Sequence, residues 1–133
     1  MKLGSVPNLI VVPEGEDRGA APSGYRGVKP FLAANTNPRF PAYNLSIRDQ
    51  VRADVWIAEL QEFARRGEMP RLEIMHLPGD HTAGARPGMR TPRACMADND
   101  LALGRIVEAL SHSPFWKDTV VFDDEENCVL PEG

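Results

Sequence analysis

Apolar positions between residues 46 and 66 recur every three or four residues: Ile47, Val51, Val55, Trp56, Leu60 and Phe63. This spacing places them on one side of a helix and predicts an amphipathic helix over 46–66. Ser46 is a suitable N-cap, with Asp49 three residues later as in a capping box. Gly67 follows as a C-terminal stop, because glycine accepts a left-handed backbone at no steric cost.

A second helix is predicted after a loop rich in glycine and proline. Two starts are open: Thr91 as N-cap with Pro92 at the first helical position, or a start at Asp98. Its apolar positions indicate a buried face made of Leu101, Ile106, Val107 and Leu110. The pair Ser113-Pro114 ends it, because proline cannot continue a helix.

Two short apolar runs predict strands, one over Arg71 to Leu77 and one over Thr119 to Phe122. A third run, Leu9 to Val12, is a further candidate. Strands that alternate with amphipathic helices predict an α/β fold with a parallel sheet. Ligands of such sheets bind beyond the carboxyl ends of the strands, so the loops after Leu77 and Phe122 are the places to look for chemistry.

Three regions are predicted along the chain. Residues 1–45 form a loop-rich segment interrupted by six prolines, residues 46–122 form the α/β domain, and residues 123–133 form an acidic tail.

Composition narrows the functional classes. The chain has 133 residues and a net charge of −4, which argues against a nucleic-acid-binding surface. No apolar run approaches the roughly 20 residues of a membrane span. Residues 1–8 contain no signal-peptide core, which predicts a cytoplasmic location for the chain as written. Cys95 and Cys128 lack partners at zinc-ligand spacing and are interpreted as free thiols.

The loop after Leu77 carries the best candidates for a metal site. Asp80 and His81 offer a carboxylate oxygen and an imidazole nitrogen, both suited to zinc or manganese. Asp123 and Asp124 are weaker candidates for metal ligands in the second loop. Arg86 and Arg90 flank the first loop and are candidate phosphate contacts, because a guanidinium binds phosphate through two hydrogen bonds.

Several stretches together resemble a known family. These are Arg39-Phe40-Pro41, then Leu72 to Leu77, then LPGDHTAGARPGMRTPRA, and then ADNDLALGRIVEALSHSPFWKDTVVF. They resemble the bacterial phosphoesterase family of phospholipase C and acid phosphatase A, within the alkaline-phosphatase-like superfamily. The resemblance runs from about residue 35 to residue 122.

The resemblance implies an α/β sandwich that hydrolyses phosphate esters with a divalent metal ion, whether zinc, manganese or calcium. It also implies that Asp80 and His81 belong to the metal or phosphate site. Family members carry a further segment upstream, and beyond the last strand they continue to an acidic pair and then histidines. Here Asp123 and Asp124 come two or three residues early and the chain continues as DDEENCVLPEG. This departure predicts an incomplete, carboxy-side part of the domain, with little or no turnover alone. Proteins of this family can be exported.

Two rival functions stay open. The first rival hypothesis is a non-catalytic interaction domain that self-associates through an uncovered apolar face containing Val51, Val55 and Leu60. The third hypothesis is a small metal-binding protein that uses His76, Asp80 and His81. His112, at the end of the second helix, is interpreted as structural because a cation there suits the helix dipole.

Overall fold

The computed structural model describes residues 29–124, and this part of the chain is helical. Three α-helices follow one another: α1 over Pro30–Ala34, α2 over Asp49–Arg66 and α3 over Pro92–Ser111. Two short 3-10 helices cover Pro78–His81 and Trp116–Asp118. None of these helices is long and apolar enough to cross a lipid bilayer.

The body of the fold is the pair α2 and α3, which run side by side in the same direction. Near their starts, the backbone N–H of Asp49 donates to Asp98. Further along, Asp54 of α2 pairs with Arg105 of α3. Near their ends, Leu60 and Ala109 line the same surface groove. Two parallel helices need a long return connection, and residues 67–91 provide it.

The apolar core lies between these two helices. Its buried members are Phe40, Ala53, Trp56, Leu60, Ala102, Ile106 and Leu110. Phe40 comes from the segment before α2 and is 1% exposed, so this segment packs onto the helix pair. Leu60 is 4% exposed inside the core, whereas Val51 is 45% exposed. Leu60 therefore does not share an uncovered apolar face with Val51.

The predicted ends of the helices are largely confirmed. Gly67 ends α2 with a left-handed backbone, φ 73°. Thr91 caps α3, since its hydroxyl accepts the N–H of Ala94 at 3.3 Å, and Pro92 is the first helical residue. Of the two predicted starts of the second helix, the one at Pro92 is therefore confirmed. The predicted start of α2 is wrong by three residues, because Ser46 is not its cap and the helix begins at Asp49.

The predicted α/β fold is wrong: the described residues contain helices and no β-strand, so there is no parallel sheet or sandwich among them. Arg71 to Leu77 and Thr119 to Phe122 have no regular secondary structure and no ladder of backbone hydrogen bonds. The first segment keeps the alternation of a strand, since Leu72 and Ile74 are exposed while Met75 and Leu77 pack on the core. Alternating exposure shows that one side of the segment is buried, but a β-strand also needs a neighbouring strand to which its backbone is hydrogen-bonded. The strand predicted over Leu9 to Val12 lies outside the described residues.

Candidate functional site

A buried carboxylate, Asp49, organises the end of the molecule where α2 begins. Its side chain is 0% exposed and accepts three hydrogen bonds. Oδ1 accepts from Arg52 at 3.1 Å, and Oδ2 accepts from the N–H of Gly79 at 2.8 Å and from Asn99 at 3.0 Å. A buried carboxylate is tolerated only when its oxygens are satisfied in this way. Asp49 thus links α2, α3 and the 3-10 helix that contains Asp80 and His81.

Arg52 is the buried counter-charge of Asp49 and is also 0% exposed. Its guanidinium donates to the backbone carbonyls of Ala42 at 2.6 Å and Ile47 at 3.0 Å. Burial lowers the pKa of Arg52, although the charge of Asp49 opposes this shift. Arginine stays protonated under such shifts, so the pair remains ionic. Through Arg52, the segment before α2 is fixed to the same end of the helix pair.

Asp98 of α3 caps α2 from outside that helix. Its Oδ2 accepts the N–H of Asp49 at 2.8 Å and Arg90 Nη1 at 3.1 Å, while Oδ1 accepts from Arg48 at 2.8 Å. Burial alone would raise the pKa of Asp98. Hydrogen bonds from Arg48, from the backbone N–H of Asp49 and from Arg90 outweigh burial and lower it. A carboxylate also suits the positive end of the α2 dipole.

The turn that carries Asp80 and His81 is anchored at two points just before them. The N–H of Gly79 donates to Asp49, and the amide of Asn99 donates to the carbonyl of Leu77 at 2.7 Å. A Cβ at Gly79 would lie 2.3 Å from Asp49 Oδ2, so only glycine fits this close approach. The backbone entering Asp80 is therefore held by a buried carboxylate of α2 and a half-buried amide of α3.

Thr82, directly after His81, has an unusual backbone. Its φ is 40°, a positive value that a β-branched residue rarely adopts. Its hydroxyl accepts the N–H of Gly84 at 3.3 Å. Such strain is maintained only where surrounding structure fixes the backbone, and it concentrates at functional sites.

Three rings meet beside this turn. The centroids of His76 and His81 are 5.9 Å apart, and Tyr43 lies 5.7 Å from His76 and 5.8 Å from His81. All three side chains are half-buried, as is Asp80. The structure therefore brings His76, one of the three histidines of the chain, next to the predicted Asp80-His81 pair.

The other candidate residues are placed differently. Asp123 and Asp124 are exposed at the end of the described residues, and within residues 29–124 no group of three or more His, Cys, Asp and Glu side chains is arranged to hold a metal ion. Arg86 is exposed in the loop after the 3-10 helix. The guanidinium of Arg90 donates to Asp98 and to the carbonyl of Leu45, 2.9 Å away, so Arg90 helps to hold the fold together.

Sequence reasoning did not assign Asp49, Asn99 and Gly79 to the support of this turn. The sequence did carry a signal that two acidic residues, Asp49 and Asp98, belong to a buried network. Asp49 and Asp98 occupy positions in line with the apolar faces of their helices, four residues from Ala53 and Ala102. A charged residue in line with a buried face must be paired, which marks it as part of a network.

No protein-family model, no curated protein and no solved structure matches this chain. The phosphoesterase resemblance therefore stays a prediction from sequence.

Proposed function

We propose that this chain provides a metal- and phosphate-ester-binding turn of a metal-dependent phosphoesterase, with Asp80 and His81 as its binding residues. The observation that carries the proposal is the anchoring of the Pro78–His81 turn to the buried Asp49. A binding turn needs a fixed backbone, because a ligand's affinity falls when the site must be ordered on binding. The buried network provides that fixed backbone before any ligand arrives.

The donor set fits a divalent metal in part. Asp80 supplies a carboxylate and His81 an imidazole, while the described residues contain no complete set of three such ligands. When bound, a metal ion would polarise a phosphoryl oxygen. The residues of this chain would orient the ester at the turn, with exposed Arg86 as the candidate cation for its phosphate. With so few ligands, we expect binding of the ester to be measurable and turnover to be close to background.

The test is metal-dependent binding of a phosphate-ester mimic. Phenylphosphonate is titrated calorimetrically into the chain with zinc, manganese or calcium present, and into the chain with chelator. We expect binding only with a metal, weakened about tenfold or more in Asp80→Asn and in His81→Gln. His112→Gln is the matched control, because His112 lies at the other end of α3, where its Nδ1 is 2.8 Å from the carbonyl of Glu108. Binding that is equal with metal and with chelator would contradict the proposal.

Self-association is the second candidate, and a specific observation favours it. The segment Thr119 to Phe122 exposes Val120 (75%) and Phe122 (91%), and the segment before the first 3-10 helix exposes Leu72 and Ile74. Exposed apolar side chains that lie close together favour contact with another chain. Light scattering during gel filtration tests this: a dimer that becomes a monomer in Val120→Asp/Phe122→Asp, but not in Val51→Asp on α2, supports it. A monomeric parent chain rejects it.

A further inference from the structure

The separation of His76 and His81 is close to that of two imidazoles that share one metal ion. A zinc–nitrogen bond is about 2.0–2.1 Å long, so two rings on a tetrahedral zinc have centroids about 5 Å apart. The observed separation is 5.9 Å, with the ring planes at 83° to each other.

The backbone between the two histidines is held at two points. The carbonyl of Leu77, next to His76, accepts from Asn99, and Gly79, two residues before His81, donates to Asp49. Tyr43 packs against both rings and limits their rotation. A pair of ligands held this way loses little conformational freedom on binding, which favours affinity.

Two imidazoles also discriminate among metals. Nitrogen ligands suit zinc, copper and nickel, whereas calcium takes six to eight oxygen ligands. The half-buried position of the pair leaves open coordination positions to water or to an oxygen of a phosphate ester.

We propose that His76 and His81 together form a two-imidazole site for a zinc-like cation, with Tyr43 as the positioning ring. The two-imidazole site deepens the proposed function by adding His76 and by excluding calcium as the metal. The biological role of the site rests on that proposed function. The remaining coordination positions accept water or the ester oxygen.

The experiment titrates zinc chloride and calcium chloride separately into the full-length chain with any affinity tag removed. A Cys128→Ser background removes one thiol that could bind zinc. The chain has only three histidines, so a complete series of His76→Gln, His81→Gln and His112→Gln is available. In the parent, NMR signals of the three histidine rings are followed during the zinc titration, which needs no variant to fold.

We expect one zinc per chain, with the ring signals of His76 and His81 shifting together and those of His112 unchanged. His76→Gln and His81→Gln should each weaken zinc binding about tenfold or more, and His112→Gln should leave it unchanged. Calcium should bind at least a hundredfold more weakly than zinc. Zinc binding that survives His76→Gln, calcium binding as tight as zinc, or no zinc binding would each overturn the proposal.

Failure of this site and failure of the proposed function give different results. If zinc binds the histidine pair but phenylphosphonate does not bind the zinc-loaded chain, the two-imidazole site stands and the phosphoesterase role fails. If phenylphosphonate binding needs a metal but is unchanged in His76→Gln, the proposed function stands and the two-imidazole site fails.

Discussion

The two ends of the α2–α3 pair are built differently. Where α2 begins, buried contacts are polar: Asp49 with Arg52, and Asp98 with Arg48 and Arg90. From the middle of α2 onward the contacts between the two helices are mainly apolar, with Trp56 and Leu60 in one cluster with Ile106 and Leu110. The first end, called the polar end below, carries the turn with Asp80 and His81; the second is called the apolar end.

This difference teaches what each kind of contact contributes. Hydrophobic burial is non-directional and stabilises many similar packings. Hydrogen bonds to a buried carboxylate require fixed distances and angles, so they set the position of a backbone segment to within a fraction of an ångström. The polar end therefore provides geometry for a site, and the apolar end provides stability.

The largest effect is expected from breaking the polar end. Asp49→Ala leaves Arg52 buried without its counter-charge and frees Gly79 and Asn99, and the loss in free energy of unfolding should be about 3–5 kcal/mol. Urea denaturation followed by circular dichroism measures it. The double variant Asp49→Ala/Arg52→Met should recover part of the loss, because no buried charge is then unpaired. A loss below about 1 kcal/mol in Asp49→Ala would show that the pair is not buried in solution.

Breaking the apolar end should cost less and leave the turn in place. Leu110→Ala removes a side chain that is 4% exposed, and we expect a loss of about 2–4 kcal/mol. The ring signals of His76 and His81 should keep their shifts, because their anchors lie at the other end. A change in both ring environments would mean that the two ends are coupled more tightly than this comparison implies.

Gly79→Ala should separate geometry from stability. The added Cβ would lie 2.3 Å from Asp49 Oδ2, so the turn must move away from its anchor. We expect a loss of about 1–3 kcal/mol, with a disproportionate weakening of zinc binding. Gly84→Ala is the control in the same loop, because nothing lies within 4 Å of its added Cβ, although its φ of 59° adds local backbone strain. Equal zinc binding in parent and Gly79→Ala would show that the anchor does not position the histidines.

A pH dependence should arise at the apolar end, where Glu73 lies against Trp56. Burial raises the pKa of Glu73 to about 7, although the hydrogen bond from Trp56 Nε1, 3.0 Å long, opposes the shift. Because the folded state holds the proton more tightly, stability is greatest below the unfolded pKa of 4.5 and declines as pH rises to about 7. The decline should be on the order of 1–2 kcal/mol, since Glu73 is partly exposed.

Glu73→Gln supplies the matched control for this pH dependence. A glutamine keeps an acceptor for Trp56 but has no titrating proton, so stability measured between pH 5 and 8 should lose this decline. Fluorescence of Trp56 should follow the same titration in the parent chain. An identical pH profile in parent and Glu73→Gln would remove Glu73 as its source.

The sequence predicted both long helices, but it also predicted a sheet that the described residues do not contain. The spacing of Trp56, Leu60 and Phe63 and the stop at Gly67 predicted α2 because these signals are local. The segment Arg71 to Leu77 has the alternation of a strand, yet whether it pairs depends on a neighbour that no local pattern contains. The predicted α/β fold failed for that reason.

The candidate site divides in the same way. Asp80 and His81 stood out by their chemistry in a loop, and they stay the centre of the proposed site. His76 was named from sequence only in the metal-binding alternative, beside Asp80 and His81. Tyr43 could not be added from sequence, because the 32 positions between Tyr43 and His76 carry no pattern that joins them. Asp98 looked like a possible first residue of its own helix, whereas in the structure it caps the other one.

The sequence by itself therefore determined the two amphipathic helices and their C-terminal and proline-marked limits, and it supplied the candidate residues for a metal site. These follow from periodicity, capping and side-chain chemistry, which act over a few residues. The tertiary structure alone decided that α2 begins at Asp49 under the carboxylate of Asp98, that Gly79 must lack a side chain, and that three rings meet beside the turn. Each of these includes a contact between groups 30 or more residues apart, whose approach is set by packing of the whole chain rather than by local preference.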